Sequence, residues 1–228
     1  MEFYDKLNGI LIKPGEEFSA LKALRPFTLA DGYWPELVIK GDEIKPELAG
    51  GLCQIGSTLF RAAMNSGFPI TERRNHSYRV RYYEPPVGMD ATIYDPSPDF
   101  KFINDTGHYI LFTARTEGDN AIFEFYGTKD GRVATTTKPV ITNVVPPGEP
   151  RYIETDTLPP GEKKKVETAH PGAKAYFKYT VTYPNGEVKT KDFYSQYVPW
   201  KETWLVGVTS STTPETVDPT VPPVTPAP

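Results

Sequence analysis

The chain has 228 residues and a formal net charge of −4, with Lys and Arg interspersed among Asp and Glu. This length allows one large domain or two small ones. The mildly acidic balance excludes the basic surface that nucleic acids or anionic membranes attract, so neither is expected as a partner. A single cysteine, Cys53, excludes an internal disulfide.

The sequence contains no apolar run long enough to cross a bilayer and no signal-peptide segment at its start. Any export signal or membrane anchor is therefore expected in a segment absent from this chain. No group of His, Cys, Asp and Glu has metal-site spacing, and no phosphate-binding or dinucleotide motif is present. We predict neither a metal nor a cofactor, and the sequence leaves the oligomeric state open.

The first fifty residues predict turns, short strands and one short helix. Ser19 is placed to cap a helix over residues 21–24, which Pro26 would end. Residues 37–44 have the pattern of a hairpin that turns at Gly41-Asp42.

A glycine turn, a helix and a glycine stop follow in residues 49–67. Gly67 is typical of the position just after a helix, because glycine accepts φ > 0 without strain. Apolar residues at helical spacing form one stripe, namely Leu52, Ile55, Leu59 and Ala63. We therefore predict one substantial helix here.

Cys53 lies in the first turn of this predicted helix. Unpaired backbone N–H groups and the helix dipole converge there, and both favour a thiolate over a thiol. The small residues before it, including Gly51, would let other groups approach the sulfur closely. The alternative is a buried cysteine that acts as a small apolar residue, since free cysteine is often fully buried. The sequence alone leaves both interpretations open.

After the helix, residue types alternate with the two-residue period that is typical of β-strands. The expected strands are residues 78–83, 90–95, 100–104, 109–115 and 121–126. The predicted fold class is α+β for this N-terminal domain, in which one central helix with a cysteine at its N-terminus packs on antiparallel strands.

The proline-rich segment 146–150 indicates a domain boundary. The prediction divides the chain into three parts, which are the α+β domain at residues 1–142, a small all-β module at 143–208 and a disordered Thr/Pro-rich tail at 209–228. In the module, an Asn185-Gly186 turn joins two predicted strands. The prolines favour an extended linker, so the module is expected to act as a spacer whose removal leaves any chemistry at Cys53 intact.

His76 and Asp90 are candidates to form a thiol site with Cys53. A thiol enzyme needs a thiolate, a base or counter-cation within reach, and a group that orients this base. His76 follows once the chain has turned back after the helix, and Asp90 comes on the next predicted strand. This order is similar to that of papain-like and transglutaminase-like thiol enzymes, a likeness at the level of the fold. The alternatives are that His76 bridges backbone groups in a turn and that Asp90 binds its own backbone.

Four further residues are candidates for oxyanion or substrate binding. The backbone N–H groups of Cys53 and Gln54, together with the Gln54 side-chain amide, are suited to an oxyanion hole. Gly51 and Asn75 lie beside the candidate catalytic residues in the sequence. Arg73 is suited to bidentate binding of a carboxylate, or else belongs to a solvated strand face.

Several stretches together resemble the VanW-like family in residue type, order and spacing. They are Leu7-Asn8-Gly9, Pro14-Gly15-Glu16-Glu17-Phe18-Ser19, Ala49-Gly50-Gly51-Leu52-Cys53-Gln54, Ser57-Thr58-Leu59-Phe60-Arg61-Ala62-Ala63, Glu72-Arg73, Asn75-His76-Ser77 and Asp90-Ala91-Thr92-Ile93. The resemblance covers roughly the first half of the chain. The predicted module resembles the five-glycine (G-five) extracellular β module, on Pro160-Gly161-Glu162-Lys163-Lys164, His170-Pro171-Gly172 and Pro184-Asn185-Gly186-Glu187-Val188.

The resemblance implies a Gram-positive-type protein that is extracellular or bound to the cell envelope, with peptidoglycan or a wall peptide or glycan as its partner. It implies no settled activity, so the sequence leaves open whether the protein is an enzyme. One hypothesis is a thiol amidase or acyl-transferase that acts on peptidoglycan stem peptides through Cys53, His76 and Asp90. The alternative is a non-catalytic surface module that binds peptidoglycan or glycan.

Overall fold

A computed structural model describes residues 3–40, 43–48 and 51–209 of the protein. Its helices are α1 (Phe3–Leu7), α2 (Ala20–Leu24) and α3 (Leu52–Asn65). Its strands are β1 (Ile10–Ile12), β2 (Glu17–Ser19), β3 (Pro35–Lys40), β4 (Glu43–Leu48), β5 (Ile70–Glu72), β6 (Lys101–Ile103), β7 (Ile110–Glu117), β8 (Asn120–Gly127), β9 (Val133–Thr136), β10 (Val140–Val145), β11 (Arg151–Thr155), β12 (Lys163–Glu167), β13 (Gly172–Thr182), β14 (Val188–Tyr197) and β15 (Thr203–Gly207). The predicted turn at Gly41-Asp42, residues 49–50 and all but the first residue of the predicted tail lie outside the described residues.

Strands dominate this architecture, at 41% against 15% for helix. Within the described ranges, α3 is the only helix longer than five residues. The predicted α+β class, built on a central helix, was therefore wrong, because strands from both halves of the chain join around α3 and make the fold mainly β. No helix in the described part of the chain is long and apolar enough to cross a membrane.

Several local predictions are confirmed. The Ser19 side chain caps α2 by accepting a hydrogen bond from the Lys22 backbone N–H at 3.1 Å. The apolar stripe of α3 is buried, and Gly67 follows the helix with φ +78°. Gly186, with φ +84°, lies in the turn between β13 and β14. In these places the local sequence and the tertiary fold favour the same conformation.

Two predicted strands are absent. Residues 81–83 form a 3-10 turn, and residues 90–95 belong to no regular strand. The backbone of the second segment is instead held by single bonds, such as the one that the Thr92 N–H donates to Arg74 O at 2.7 Å. Prolines follow both segments, and proline restricts its own backbone and that of the residue before it. The chain between β5 and β6 is therefore irregular, although it is partly buried.

An aromatic cluster holds two of the small sheets together. One sheet has the strand order β1-β7-β8 and the other the order β2-β6-β5. Within the second sheet, Phe18 stacks on Phe102, with ring centroids 5.0 Å apart. Between the sheets, Phe18 meets Phe112 edge-on at 5.8 Å, and Phe102 meets Phe125 edge-on at 5.4 Å. Stacked and edge-on ring pairs of this kind add packing energy beyond the apolar area that they bury.

The long strands β13 and β14 pack against α3. They pair antiparallel, with β10 and β9 on the other side of β13. The Phe60 ring of α3 lies 5.2 Å from the Phe193 ring, which stacks on Phe177 at 5.1 Å. Phe177 and Phe193 belong to the same buried cluster as Leu59 and Phe102. One hydrophobic core therefore combines the helix with strands far along the chain.

The compact units do not follow the predicted boundary after residue 142. One unit comprises the chain up to Gly148 and Ala169–Trp200, and the other comprises Glu149–Thr168 and the residues from Lys201. The prediction that residues 143–208 form a spacer apart from Cys53 was wrong for β13 and β14, because their inward side chains complete the core around α3.

The second unit contains a three-stranded sheet of order β11-β15-β12. β15 is parallel to β11 and antiparallel to β12. Glu202 accepts a hydrogen bond from Trp204 Nε1 at 2.6 Å and pairs with Lys165 at 3.2 Å. These contacts stabilise the sheet within its own unit.

Gly56 allows α3 to approach the segment that follows Asp90. A Cβ at this position would lie 2.7 Å from Ile93 Cγ1 and 3.1 Å from Ala91 O. At Gly51, by contrast, an added Cβ would meet no atom within 4 Å. The glycine that allows another segment to come close to the helix is therefore Gly56, one turn after Cys53, and not Gly51.

We expect Phe193→Ala to lower the free energy of unfolding by about 3–5 kcal/mol, the usual range for a large core aromatic. The matched control is Tyr194→Ala on the same strand, since the Tyr194 side chain points outward and is 70% exposed. Denaturant unfolding measures the free energy of unfolding of both variants. A loss at position 193 no larger than the loss at 194 would show that β14 does not stabilise the core.

We expect Gly56→Ala to destabilise the protein by about 1–3 kcal/mol through overpacking. Alanine is otherwise favoured over glycine in a helix by about 1 kcal/mol, so a net loss reports the contact with Ile93. Gly51→Ala is the control, and thermal unfolding is the measurement. A stabilised Gly56→Ala variant would contradict the close approach.

Candidate functional site

Cys53 lies in the first turn of α3 and is partly buried. Its thiol makes a weak hydrogen bond to the backbone oxygen of Ile93, with a sulfur–oxygen distance of 3.6 Å. This contact depends on the close approach at Gly56, because Ile93 lies over that residue. The helix and the irregular segment after Asp90 therefore fix the sulfur together.

His76 connects Cys53 to Asp90. Its ring Nδ1 lies 2.6 Å from Asp90 Oδ2, and its backbone N–H donates to the same oxygen at 2.7 Å. Because Nδ1 is engaged by Asp90, Nε2 is the nitrogen left for Cys53. Burial lowers the pKa of His76, but hydrogen bonds with Asp90 and with Cys53 outweigh burial and raise the pKa to about 9. The ring is thus favoured in its charged form between a carboxylate and a sulfur.

Asp90 is 5% exposed and is surrounded by donors. Besides the two bonds from His76, its Oδ1 accepts a hydrogen bond from the Tyr197 hydroxyl and lies 3.4 Å from Arg73 Nη2. Burial raises the pKa of Asp90, but the hydrogen bonds from His76 and the charges of Arg73 and His76 lower it below its usual value. Asp90 is therefore an ionised carboxylate that orients the imidazole.

Arg73 is buried beneath Asp90, with its side chain 3% exposed. Nε donates to Asp90 O at 2.7 Å, Nη2 donates to Gly88 O at 2.6 Å, and Nη1 donates to Ser195 Oγ at 3.0 Å. Its guanidinium also lies 5.2 Å from the centre of the Phe60 ring. These contacts occupy the donors of Arg73, so its geometry positions Asp90 and does not fit the predicted binding of a substrate carboxylate.

Tyr197 is the residue of this network that the sequence did not predict. It lies at the end of β14, where Phe193, Ser195 and Tyr197 are buried in alternation. The period-two pattern was visible in the sequence, but nothing in it indicated that this face lies against Asp90. Burial and the Asp90 charge raise the pKa of Tyr197 well above the usual range for tyrosine, so its hydroxyl remains a donor.

Asn75 connects the backbone at His76 to the backbone of β14. Its Nδ2 donates to His76 O at 2.8 Å and to Gln196 O at 2.9 Å. Both are backbone oxygens, so the contacts fix the chain around His76 and give Asn75 a positioning role. Its predicted role in substrate binding stays a prediction.

Gln54 and Gly51 lie at the start of α3. The Gln54 backbone N–H donates to Gly51 O at 3.0 Å, so it is already used and is a poor candidate for the predicted oxyanion hole. The Gln54 side chain is exposed on the helix surface. The Cys53 backbone N–H belongs to the first turn, where amides have no intrahelical acceptor, and it remains a candidate.

Tyr83 covers one face of the His76 ring. Its ring stacks on the His76 ring, with centroids 5.2 Å apart and an angle of 28° between planes. Burial and nearby groups, including Tyr82 and Cys53, raise the pKa of its hydroxyl. The imidazole is therefore held from one face as well as along its edge. In the described residues, no group of three or more His, Cys, Asp and Glu side chains is arranged to hold a metal ion.

The raised pKa of His76 makes stability depend on pH. Its folded-state value of about 9 lies above the ordinary value of 6.5. The stabilisation is therefore fully present below about pH 6.5 and is lost as pH rises through 9, a change of about 3 kcal/mol. We expect the difference in unfolding free energy between the wild type and His76→Gln to shrink over this window. The control is His108→Gln, since His108 is exposed, and parallel pH profiles for the wild type and His76→Gln would contradict the expectation.

Residues 3–126 match the family described as VanW like protein. Over 122 residues the chain is 34% identical to the uncharacterised protein YoaR of Bacillus subtilis (strain 168), which covers 54% of this chain and 40% of YoaR. Over 104 residues it is 34% identical to the Vancomycin B-type resistance protein VanW of Enterococcus faecalis (strain ATCC 700802 / V583), which covers 44% of this chain and 38% of that protein.

The chain therefore spans about two fifths of the length of these relatives. The family match ends at residue 126, so the resemblance of residues 143–208 to a G-five module stays a prediction. The match includes Cys53, His76 and Asp90. Because it extends over more than half of the chain, the chain belongs to the VanW-like family.

Proposed function

We propose that the protein is a thiol-dependent amidase or acyl-transferase of the cell envelope, with the peptide part of peptidoglycan as its substrate. The observation that carries the proposal is the connected series Cys53, His76 and Asp90. In it a buried carboxylate holds one ring nitrogen at 2.6 Å, and the ring interacts with the only cysteine of the chain. A nucleophile, a base and an orienting group in this order are the requirements of acyl transfer through a thiol.

The reaction begins with a charged pair. The His76 imidazolium stabilises the Cys53 thiolate, which attacks the carbonyl carbon of an amide and forms a carbon–sulfur bond. When the tetrahedral intermediate collapses, the carbon–nitrogen bond breaks. The leaving nitrogen takes the proton of His76 and departs as an amine. A thioester on Cys53 and a neutral His76 remain.

The second half regenerates the enzyme. Water or an acceptor amine gives a proton to His76 and attacks the thioester carbon, and the carbon–sulfur bond breaks. Water completes hydrolysis, whereas an amine completes transfer. Asp90 keeps the imidazole oriented with Nδ1 toward itself in both halves, and the hydroxyl of Tyr197 and the guanidinium of Arg73 keep Asp90 in place.

The cell-envelope setting is supported by the family. The resemblance to VanW-like proteins implies an envelope protein, and one of the relatives is named a vancomycin resistance protein. Stem peptides of peptidoglycan supply amide bonds of the kind that this chemistry acts on. The location outside the cell, like the wall partner, is part of the proposal.

We expect Cys53 to react rapidly with iodoacetamide at pH 6, and His76→Gln to slow this reaction about tenfold or more, because the variant loses the cation that stabilises the thiolate. Asp90→Asn should also slow it, since the imidazole loses its partner. His108→Gln is the control. Labelling is unambiguous because the chain has one cysteine. The measurement is the alkylation rate against pH, followed by mass spectrometry.

Equal labelling rates in the wild type, His76→Gln and Asp90→Asn would contradict the proposed thiol site. That result, together with binding of wall peptides, would favour the non-catalytic binding module instead. A reactive Cys53 is then tested with purified stem peptides, by following released amine. Cys53→Ser should abolish the release while the protein stays folded.

A further inference from the structure

A pocket of about 130 Å³ opens beside the candidate thiol site. It lies between the exposed face of α3 and the 3-10 turn at Arg81–Tyr83. Its walls are formed by six side chains, Gln54, Ser57, Thr58, Arg61, Tyr82 and Tyr83. The pocket adjoins the thiol site through two residues, since Gln54 follows Cys53 in the chain and the Tyr83 ring stacks on the His76 ring.

The Tyr83 hydroxyl is a buried donor without a hydrogen-bond partner among the described residues. Tyr83 is 7% exposed. A buried polar group that makes no hydrogen bond is destabilising by about 1–3 kcal/mol, so native proteins retain few of them. An acceptor atom on a ligand in the pocket would satisfy this hydroxyl.

Arg61 brings a positive charge to the other end of the pocket. Its Nε donates to Met89 O at 2.8 Å, and its Nη2 donates to Tyr83 O. These bonds fix the guanidinium and leave Nη1 without a hydrogen bond among the described residues. Burial lowers the pKa of Arg61, but an arginine stays charged at every physiological pH.

The other polar groups of the pocket leave its charge positive. No Asp or Glu lines it, and the nearby Glu84 is held by two hydrogen bonds from Arg79, at 2.9 and 2.7 Å. Ser57 is occupied by the backbone of Ala91, and Thr58 donates to Gln54 O at 2.8 Å. With Arg61 as its charged group and no carboxylate in its lining, the pocket favours an acceptor-rich or anionic group.

The helix sets the distance between this charge and the thiol. Arg61 follows Cys53 by eight residues, a rise of about 12 Å along the helix. An extended peptide advances about 3.3–3.6 Å per residue. A carboxylate at Arg61 would thus lie about three to four residues from an amide bond presented to Cys53.

We propose that this pocket binds the C-terminal carboxylate of a short peptide, with Arg61 pairing with the carboxylate and the Tyr83 hydroxyl donating to a peptide carbonyl. The proposal rests on the thiol site proposed above and names the class of its substrate, a peptide with a free C-terminus near the bond that reacts.

The test compares binding of N-acetyl-alanyl-alanine with binding of its C-terminal amide, which lacks the negative charge. Isothermal titration calorimetry on the full chain with Cys53→Ser keeps the thiol chemistry out of the measurement. We expect the acid to bind about tenfold more tightly than the amide, as a charge-assisted pair adds on the order of 1.4 kcal/mol. This comparison avoids a substitution at Arg61, which would also remove its bonds to Met89 and Tyr83.

Tyr83→Phe tests the hydroxyl, because the ring and its stacking on His76 are kept. We expect it to weaken binding of the acid about fivefold, whereas the matched Tyr109→Phe, at a residue that is 56% exposed and lies outside the pocket lining, should not change it. Equal affinities for acid and amide, or an unchanged affinity in Tyr83→Phe, would overturn the proposal.

The outcome is separable from that of the thiol site. If the acid binds selectively but wild-type Cys53 is unreactive, the pocket stands and the proposed chemistry fails. If Cys53 is reactive but the acid and the amide bind equally, the pocket proposal fails and the thiol site stands.

Discussion

The buried carboxylate of Asp90 is the feature on which the site depends. A charge taken out of water is strongly unfavourable unless hydrogen bonds and opposite charges surround it. Here the donors come from separate parts of the chain, with His76 and Arg73 following β5 and Tyr197 ending β14. Removing one partner of such a group typically destabilises a protein by about 3–5 kcal/mol. The same contacts that keep Asp90 ionised therefore hold these segments together.

This dependence gives the C-terminal strands a role in the site. The family match ends at residue 126, yet the hydroxyl bound to Asp90 and one of the two aromatic rings near the Arg73 guanidinium, that of Phe193, come from β14. Phe193 packs on Phe60 of the helix that carries Cys53. In this chain the matched region thus obtains part of its core, and one partner of its carboxylate, from residues beyond it.

The irregular segment between β5 and β6 brings the chemistry together. Arg73, His76, Tyr83 and Asp90 all lie on it, held by contacts of side chains with backbone oxygens and by single backbone bonds. Binding residues often lie on such segments, positioned by a rigid scaffold. Gly56 contributes by letting the helix come close enough for the Cys53 thiol to meet Ile93 O.

The sequence by itself determined the helix with Cys53 in its first turn, the cap at Ser19 and the hairpin at Gly186, because periodicity, capping and turn chemistry act over a few residues. It also supplied His76 and Asp90 as candidates, through their residue types and their order after Cys53. Tertiary structure decided the rest. It determined the mainly β architecture and the union of β13 and β14 with α3. It also buried Arg73 under Asp90 and brought Tyr197 to the same carboxylate. These are contacts between residues far apart in the chain, and a local pattern shows that a strand has a buried face but not what that face will meet.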